Sequence, residues 1–561
     1  MVHKIIIIWL LFFAGIAFSA DQFQKGGIEH LLFGGRHRQV RYYTGDTLTI
    51  HGLEPIDVRE YGATGDGSTD DTVPINAALD TLNANGGGAL YFPPGTYMID
   101  VKIGAQVHDN TTILLATGAT LKAIADTARN HAIIKCDSVS NVKVIGGHLL
   151  GDRERHLSVE GEWGMGIDLR QCTNVEISGV HIDSCWGDGI YIGGTQPCEK
   201  VFVNNCYINK NRRNGISVVN GKYVGIANNH ISGHDGTDPR AAIILEGNGG
   251  DEVEYVTVVG NTLVDNFWFG VGIYRNDTKY ATIADNIIRN SKMGVRIGHA
   301  RDVVVSDNLI SDCDSVGIGI DTNGGTTDSL FGATAIGNII HNAKRGISVN
   351  SISGKPIYDV KISDNYIDSM SVYGIYAIRC NGIQISDNYI YDVEHRGIDV
   401  FDLNRANISG NYIRQTGSNG LRLNNDADSC FVFGNVIVDA CDTLSGANDA
   451  LVIGGGGYHV VKDNIVMSYG DSLPEYALWI SSGNNHVIDN VVKGSYTIAM
   501  FGGGGLDSLN NTIGVDANYT VQFTALPDTP TAVLGRLWFS AIDSILYIYN
   551  GAEWDSLTNG P

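Results

Sequence analysis

The chain has 561 residues, with 38 Lys and Arg against 61 Asp and Glu, for a formal net charge of −23. So acidic a protein offers phosphate no attractive field, which excludes a general nucleic-acid binder. Its 71 glycines and 11 prolines, with 43% apolar and 18% charged residues, exclude disorder and, lacking a Gly at every third position, collagen; they also disfavour long helices.

Residues 1–20 read as a secretory signal peptide. Lys4 supplies a basic start, residues 5–18 an apolar run, and Ala17 to Ala20 the small residues of a cleavage site. The run is short for a membrane span. The mature protein is therefore expected outside the cell or in the periplasm, away from the membrane. Residues 21–54 form an amino-terminal extension. Two phrases follow: Asp57–Thr72 (DVREYGATGDGSTDDT), leading into a short amphipathic stretch from Ile75, and Gly86–Tyr97 (GGGALYFPPGTY). Asp70 or Asp71 is placed to cap a helix there, with Gly86 to Gly88 turning the chain into a strand. This cap and the first coils occupy residues 55–125.

Residues 126–515 are dominated by one recurring phrase: Asn or Gly, any residue, Ile/Leu/Val, a few polar residues, then Gly-Ile-x-Val/Ile. The Asn falls at Asn205, Asn229, Asn261, Asn286, Asn308, Asn338, Asn365, Asn388, Asn411, Asn435, Asn464, Asn490 and Asn511, at spacings from 21 to 32. Gly147 and Gly179 are expected to take its place earlier. Each repeat carries β-branched runs with period-two alternation, bounded by Gly and Asn, which read as strands and turns. A repeat of roughly 24 residues is too short for a propeller blade. What remains is a coil of short parallel strands stacked about 4.8 Å apart, roughly fifteen coils in all.

The cap phrases and the Asn series together resemble the pectate-lyase-like superfamily and the amino-terminal cap of polygalacturonase-related proteins. The resemblance implies an all-β, right-handed, single-stranded parallel β-helix with an amino-terminal capping helix. It also implies that the Asn residues stack coil on coil through their amides. The carboxyl end, residues 516–561, changes character. Leu526–Pro530 reads as a linker, and the segments around Trp538 and Ile545–Trp554 as a small β-hairpin unit, similar to short β motifs at the ends of phage tail fibres.

Aligning the Gly-Ile-x-Ile strands places Ile167, Ile190, Ile216, Ile243 and Val271 in one inward lane. Asp168, Tyr191, Ser217, Ile244, Gly272, Arg296 and Gly319 form the outward lane beside it. Trp163, Trp186, Arg212, Arg213 and Arg240 come just before the strand, with Asp188 and Asp238 beside them, and Arg170 and Glu246 just after. Coils between residues 160 and 247 thus gather arginine, aromatic and carboxylate side chains on one face, while later coils read as plainer. Arginine can hold a uronate carboxylate in two bonds and offset charge as a proton leaves. Carboxylates can serve as acid and base. The candidate catalytic residues are Asp188, Arg213, Asp238, Arg240 and Glu246. Trp163, Asp168, Arg170, Trp186, Tyr191 and Arg212 are candidate substrate contacts.

These residues point to an exported protein that cleaves an acidic polysaccharide, by β-elimination ahead of hydrolysis, with a uronan epimerase or a non-catalytic adhesin or fibre as alternatives. The polygalacturonase series is only partly present, as Gly187-Asp188-Gly189 and Arg296-Ile297-Gly298. The Asp-Pro-His of mannuronan epimerases is absent. No cofactor is specified. Resemblance to pectate lyases makes Ca2+ the ion to consider, held between Asp188 and Asp238, and a homotrimer is compatible with such a rod. The nine cysteines form no metal or disulfide pattern. Cys172 and Cys198 align but are expected to stay thiols. His156, His181, His230 and His234 show no metal spacing, and His234-Asp235 and His395-Arg396 read as surface turns.

Overall fold

The computed structural model describes residues 55–496 apart from 275–277, 323–328, 353, 425–426, 442–447, 470–473 and 482–483, together with the backbone of short strands on either side. The segments expected to be a signal peptide, residues 1–20, and a linker, Leu526–Pro530, lie outside the described residues. Near the amino terminus, Glu29–Phe33, Arg36–Tyr42 and Leu48–Thr49 pair antiparallel. Near the carboxyl terminus, Leu537–Phe539, Leu546–Tyr549 and Trp554–Ser556 make a three-stranded antiparallel sheet rather than a hairpin.

Between them the chain winds through about 16 turns of a parallel β-solenoid. One coil shows the pattern. Thr173–Ser178 lies in the first sheet, His181–Asp183 in the second and Ile190–Gly193 in the third, before Cys198–Asn204 opens the next coil; the second and third run into one another at the continuous strands Leu309–Asp321, Ile339–Asn350 and Tyr366–Ile378. Alternation along each strand sends every second side chain inward. The inward positions are aliphatic and stack on their own kind. Ile177 pairs with Val203, and that with Ile226 and Val258; Ile182 with Ile208, Ile231 and Leu263. In the third sheet Ile167, Ile190, Ile216, Ile243, Val271, Val295 and Ile318 align, as the lane read from the sequence requires. All seven are fully buried, each stabilising by roughly 1.5–3 kcal/mol.

The Gly of the Gly-Ile phrase is fixed by close approach. A Cβ on Gly374 would meet the Gly397 carbonyl oxygen and Ile390 Cγ2, each at 2.6 Å. A second turn explains the Asp-Asn and Gly-Asn dipeptides. The residue before each ladder Asn from Asn229 to Asn490 is left-handed, with φ of 54° at Asp285, 57° at Asp387 and 66° at Gly410. Asn, Asp and Gly tolerate that region best. The ladder itself runs unbroken from Asn229 to Asn511. Each amide oxygen accepts from the backbone N–H and the side-chain amide of the Asn one coil earlier, as Asn388 does from Asn365 at 3.1 and 2.9 Å. Each amide nitrogen also donates to a backbone carbonyl, Asn388 to Ile362 at 3.1 Å.

The start of the ladder differs from the expectation by one residue. Tyr207 pairs with His230, so Cys206, not Asn205, is aligned with Asn229, and the Cys206 N–H donates to Asn229 at 2.9 Å. Gly147 keeps the ladder position. Gly179 aligns with Asn205, one residue earlier. At these coils the left-handed turn is retained without the amide.

The cap helix spans Thr72–Ala84 and buries Ile75, Ala78, Leu79 and Leu82 over the first coils. The two aspartates divide the work. Asp71 sits at the N-cap position, yet its carboxylate accepts from the N–H groups of Thr64 and Gly65 at 2.6 and 3.2 Å. Asp70 instead accepts from the Thr72 N–H at 2.9 Å. All nine cysteines are buried free thiols, Cys172 and Cys198 included.

Substituting a ladder residue in mid-rod tests the amide stack. Asn388→Ala leaves the Asn365 N–H and the Ile362 carbonyl without their partner, at about 1–3 kcal/mol for each buried group. Chemical denaturation should show a midpoint lowered by an amount of that order, with the parallel-sheet circular dichroism of the native state retained.

Candidate functional site

The outward lane of the third sheet has the composition read from the sequence. Lys135, Asp168, Tyr191, Ser217, Ile244, Gly272, Arg296 and Gly319 align one coil after another. The turn before each strand adds a second row. Each of the nine cation–ring contacts found among the described residues has at least one partner in these two rows. Tyrosine ladders on the other sheets, such as Tyr223–Tyr255–Tyr280, stack ring on ring at 5.1 and 5.0 Å along the axis. Their faces are covered by one another, so they present edges to a ligand and act as cross-coil packing.

Arg213 is the centre of the first cluster. It donates to Asp188 at 3.1 Å, and its guanidinium lies 3.9 Å from Glu162 and 4.0 Å from Glu246. Asp188 is fully buried beneath it and also accepts from Ser217 Oγ at 2.8 Å and the Asn214 N–H at 3.1 Å. Burial raises the Asp188 carboxyl above its ordinary range, opposed by Arg213 and these donors. Burial also works against the Arg213 charge, but Asp188, Glu162 and Glu246 outweigh it and hold the guanidinium above its usual value. Arg213 is therefore a fixed cation, and Asp188 is the carboxylate that positions it. Glu162 and Glu246 are the members of the cluster that reach solvent, their side chains 35% and 20% exposed.

The remaining candidates separate into smaller groups. Arg170 donates to Asp168 at 2.9 Å and lies over the half-buried Tyr191 ring at 5.1 Å. Burial raises Asp168, against the pull of Arg170. Asp238 pairs with Arg240 at 2.5 Å, and Arg240 covers the exposed Phe267 ring at 3.7 Å. Trp186 is not a platform for a sugar ring. Only 8% exposed, it stacks on His156 at 4.1 Å and lies beneath the Arg212 guanidinium at 3.8 Å. Trp163, 45% exposed, is the open ring of this cluster. Asp188 and Asp238 are each engaged by a different arginine, Asp188 by Arg213 and Asp238 by Arg240.

Several residues of this face escaped the sequence reading. Glu162 directly precedes Trp163 but lies outside the aligned lane. The lane also stays rich beyond residue 319, continuing through Ser348, Tyr376, Asp399 and Arg422. Arg296 grips Asp321 with two bonds, at 2.9 and 2.7 Å, and lies over Tyr274 at 4.0 Å. Asp399, fully buried, accepts two bonds from Arg422 at 2.8 and 3.1 Å and one from Arg396 at 3.3 Å. Arg345 lies over Tyr376 at 5.1 Å, at one wall of a depression of about 300 Å³ also lined by Trp268, Tyr274, Arg296 and Asp321. The signal for these residues was the same lane, carried four coils further. Among the described residues, Arg212 and Arg345 have no carboxylate within ion-pair distance.

The family model described as "Right handed beta helix region" matches residues 165–331, 240–359 and 333–513. The chain belongs to this right-handed β-helix family. Among similar proteins, the uncharacterized protein YclG of Bacillus subtilis (strain 168) is 25% identical over 528 residues, covering 86% of this chain and 82% of YclG. The preneck appendage protein of Bacillus phage PZA is 26% identical over 264 residues, 43% of this chain and 29% of that protein. The structure of the pre-mature gene product 12 of bacteriophage phi29 superposes with a TM-score of 0.55 at 14% identity, over 90% of this chain and 76% of that one. This last likeness shows that the right-handed β-helix architecture is shared over most of the chain.

His234 lies within this helix, fully buried, not on a surface turn; the exposed end of the phrase is Asp235. Its Nδ1 bonds the Asn211 carbonyl at 3.2 Å, and burial pushes its pKa down from 6.5 to about 4. The unfolded chain then binds a proton that the folded chain refuses between these values. Stability is full above pH 6.5 and falls as pH drops toward 4, by about 3 kcal/mol for this group. Asp449, which burial raises to about 6, tilts the curve the other way. The quantity to read is therefore the difference between wild type and His234→Gln in denaturation series from pH 7 to 4, which should narrow by about that amount.

Proposed function

We propose that this protein is exported, binds an acidic, uronate-containing polysaccharide along the third sheet, and hydrolyses it at Arg213 with Glu162 and Glu246 as acid and base. The observation that carries the reading is the Arg213 cluster: one cation fixed from below by a buried carboxylate and flanked by two carboxylates that reach solvent. A fixed cation can hold a uronate carboxylate, and flanking carboxylates are the groups needed to protonate a leaving oxygen and activate water. β-Elimination with arginine as base is less well supported, because Arg213 and Arg240 are both paired with carboxylates. The chain as a whole is strongly acidic, so a polyanion needs local positive points. Arg212 and Arg345, uncompensated by carboxylates, supply them at two places along the face, and Trp163 supplies an open ring.

A second reading is a glycan-binding surface appendage without cleavage. It is favoured by the likeness to the preneck appendage protein of Bacillus phage PZA, 26% identical over 43% of this chain.

The mature protein should release reducing ends from an acidic polysaccharide without the ultraviolet absorbance of unsaturated uronates. Glu162→Gln and Glu246→Gln should each lower turnover by about 10²–10⁴-fold, while Arg345→Ala weakens binding and leaves turnover at saturation unchanged. Absorbance rising with the reducing ends would overturn the hydrolytic assignment. Binding that Arg345→Ala weakens, with no cleavage of any glycan in a broad panel, would establish the second reading.

A further inference from the structure

Outside the Arg213 cluster, one group of buried side chains has no role in the reading above. The loop after Leu150 returns over the third sheet and brings Asp152 and His156 against His131, which lies in the strand Asn130–Asp137. Asp126, in the turn before that strand, completes the group. Asp126, His131 and His156 each present a donor atom, and the three lie within 4.8 Å of one another. The side chains of His131 and His156 are 2% and 0% exposed, and that of Asp126 is 8% exposed.

The hydrogen bonds around this group fix which atoms are available. His156 Nδ1 is 2.8 Å from Asp152 Oδ2, and His131 Nδ1 is 2.9 Å from the Ala128 carbonyl oxygen. A carbonyl can only accept, so His131 carries a proton on Nδ1, and Nε2 is the ring nitrogen left to face an ion. The carboxylate likewise draws the His156 proton to Nδ1. His156 Nε2 and Asp126 Oδ2 are then buried without hydrogen-bond partners. Lys102 Nζ, itself exposed, approaches Asp126 at 3.4 Å, and Asp152 Oδ1 lies 3.4 Å from His131 Nε2. Two imidazoles whose far nitrogens are oriented by an acceptor, with lone pairs turned toward a buried carboxylate, are arranged as metal ligands are.

We propose that Asp126, His131 and His156 bind one divalent transition-metal ion of the zinc class, with Asp152 as the carboxylate that orients His156. Two imidazoles and one carboxylate suit zinc and its neighbours, and leave a further position for Asp152 or water. Calcium prefers an all-oxygen shell and is disfavoured here. The ion would replace Lys102 at Asp126 and tie the 151–162 loop to the coil beneath it. Because His156 stacks on Trp186, and Trp186 carries Arg212, the ion would also brace the edge of the glycan face. That loop carries Glu162. The site itself stands independently of the function proposed above.

The test uses the full mature chain, stripped with chelator and dialysed, then titrated with Co2+ and with Zn2+. One ion per chain should bind. Co2+ should give visible absorption bands and quench part of the tryptophan fluorescence through Trp186, and Zn2+ should raise the unfolding temperature. Asp126→Asn, nearly isosteric, should lose at least 100-fold in affinity. Asp152→Asn, which keeps all three ligands, should lose about 10- to 100-fold. His148→Gln, which alters the separate His148–His181–Asp183 group, should bind as wild type does. Failure of the stripped wild type to take up either ion overturns the site. So does affinity that survives Asp126→Asn, or that is lost in His148→Gln.

Discussion

A parallel strand in a solenoid finds its hydrogen-bond partners only in the copy of itself one turn away. That single requirement, held in register over about 16 turns, underlies the rest of this molecule. It makes every inward position a column, so Ile182 must meet Ile208 and not a polar neighbour. It also turns one left-handed residue per coil into a column, which is why Asp, Asn and Gly recur before the ladder amides. The ladder extends the same requirement to a side chain: each Asn satisfies backbone groups at the corner where the sheets part.

Register also builds the candidate face on the third sheet. Outward side chains separated by a whole coil in sequence become neighbours, so a groove can be assembled from single residues on successive turns. Arg213 meets Asp188 from the coil before, and Glu246 from the coil after. The same geometry places Arg296 on Asp321 and Arg422 on Asp399. Buried carboxylates at these points serve the arginines more than any ligand, because each accepts from two or three donors, an arginine among them. They hold rigid, charged guanidinium groups at the surface of an otherwise acidic rod. The loops that leave the coils add what the lanes cannot. Glu162 comes from one, and so do Asp152 and His156 of the proposed metal site.

Columns were readable from the sequence because they repeat. The inward lane Ile167 to Val271 and the outward lane Asp168 to Gly319 stand in the structure as aligned from the Gly-Ile phrase. Single-residue shifts were not readable. Asn205 resembles a ladder residue in composition, but the pairing of Tyr207 with His230 puts Cys206 in that place. Burial at the surface of the rod was equally hidden. Asp188 and Trp186 lie in the outward rows, where an exposed side chain is expected, yet Arg213 covers one, and His156 and Arg212 enclose the other. The cover comes from neighbouring coils and a loop, which no alignment of repeats describes. The later half of the face was missed for a different reason. Its charged residues, Arg345, Asp399 and Arg422, are spread one per coil and look sparse until the coils are stacked.

The central claim is that the arginine-lined third sheet is where an acidic glycan binds. A crystal structure of the mature protein soaked with a uronate oligosaccharide tests it most directly. Sugar density should run along the third sheet, with one carboxylate at Arg213 and Glu162 and Glu246 on either side of a glycosidic oxygen. Density on the first or second sheet, over the tyrosine ladders, would contradict the claim.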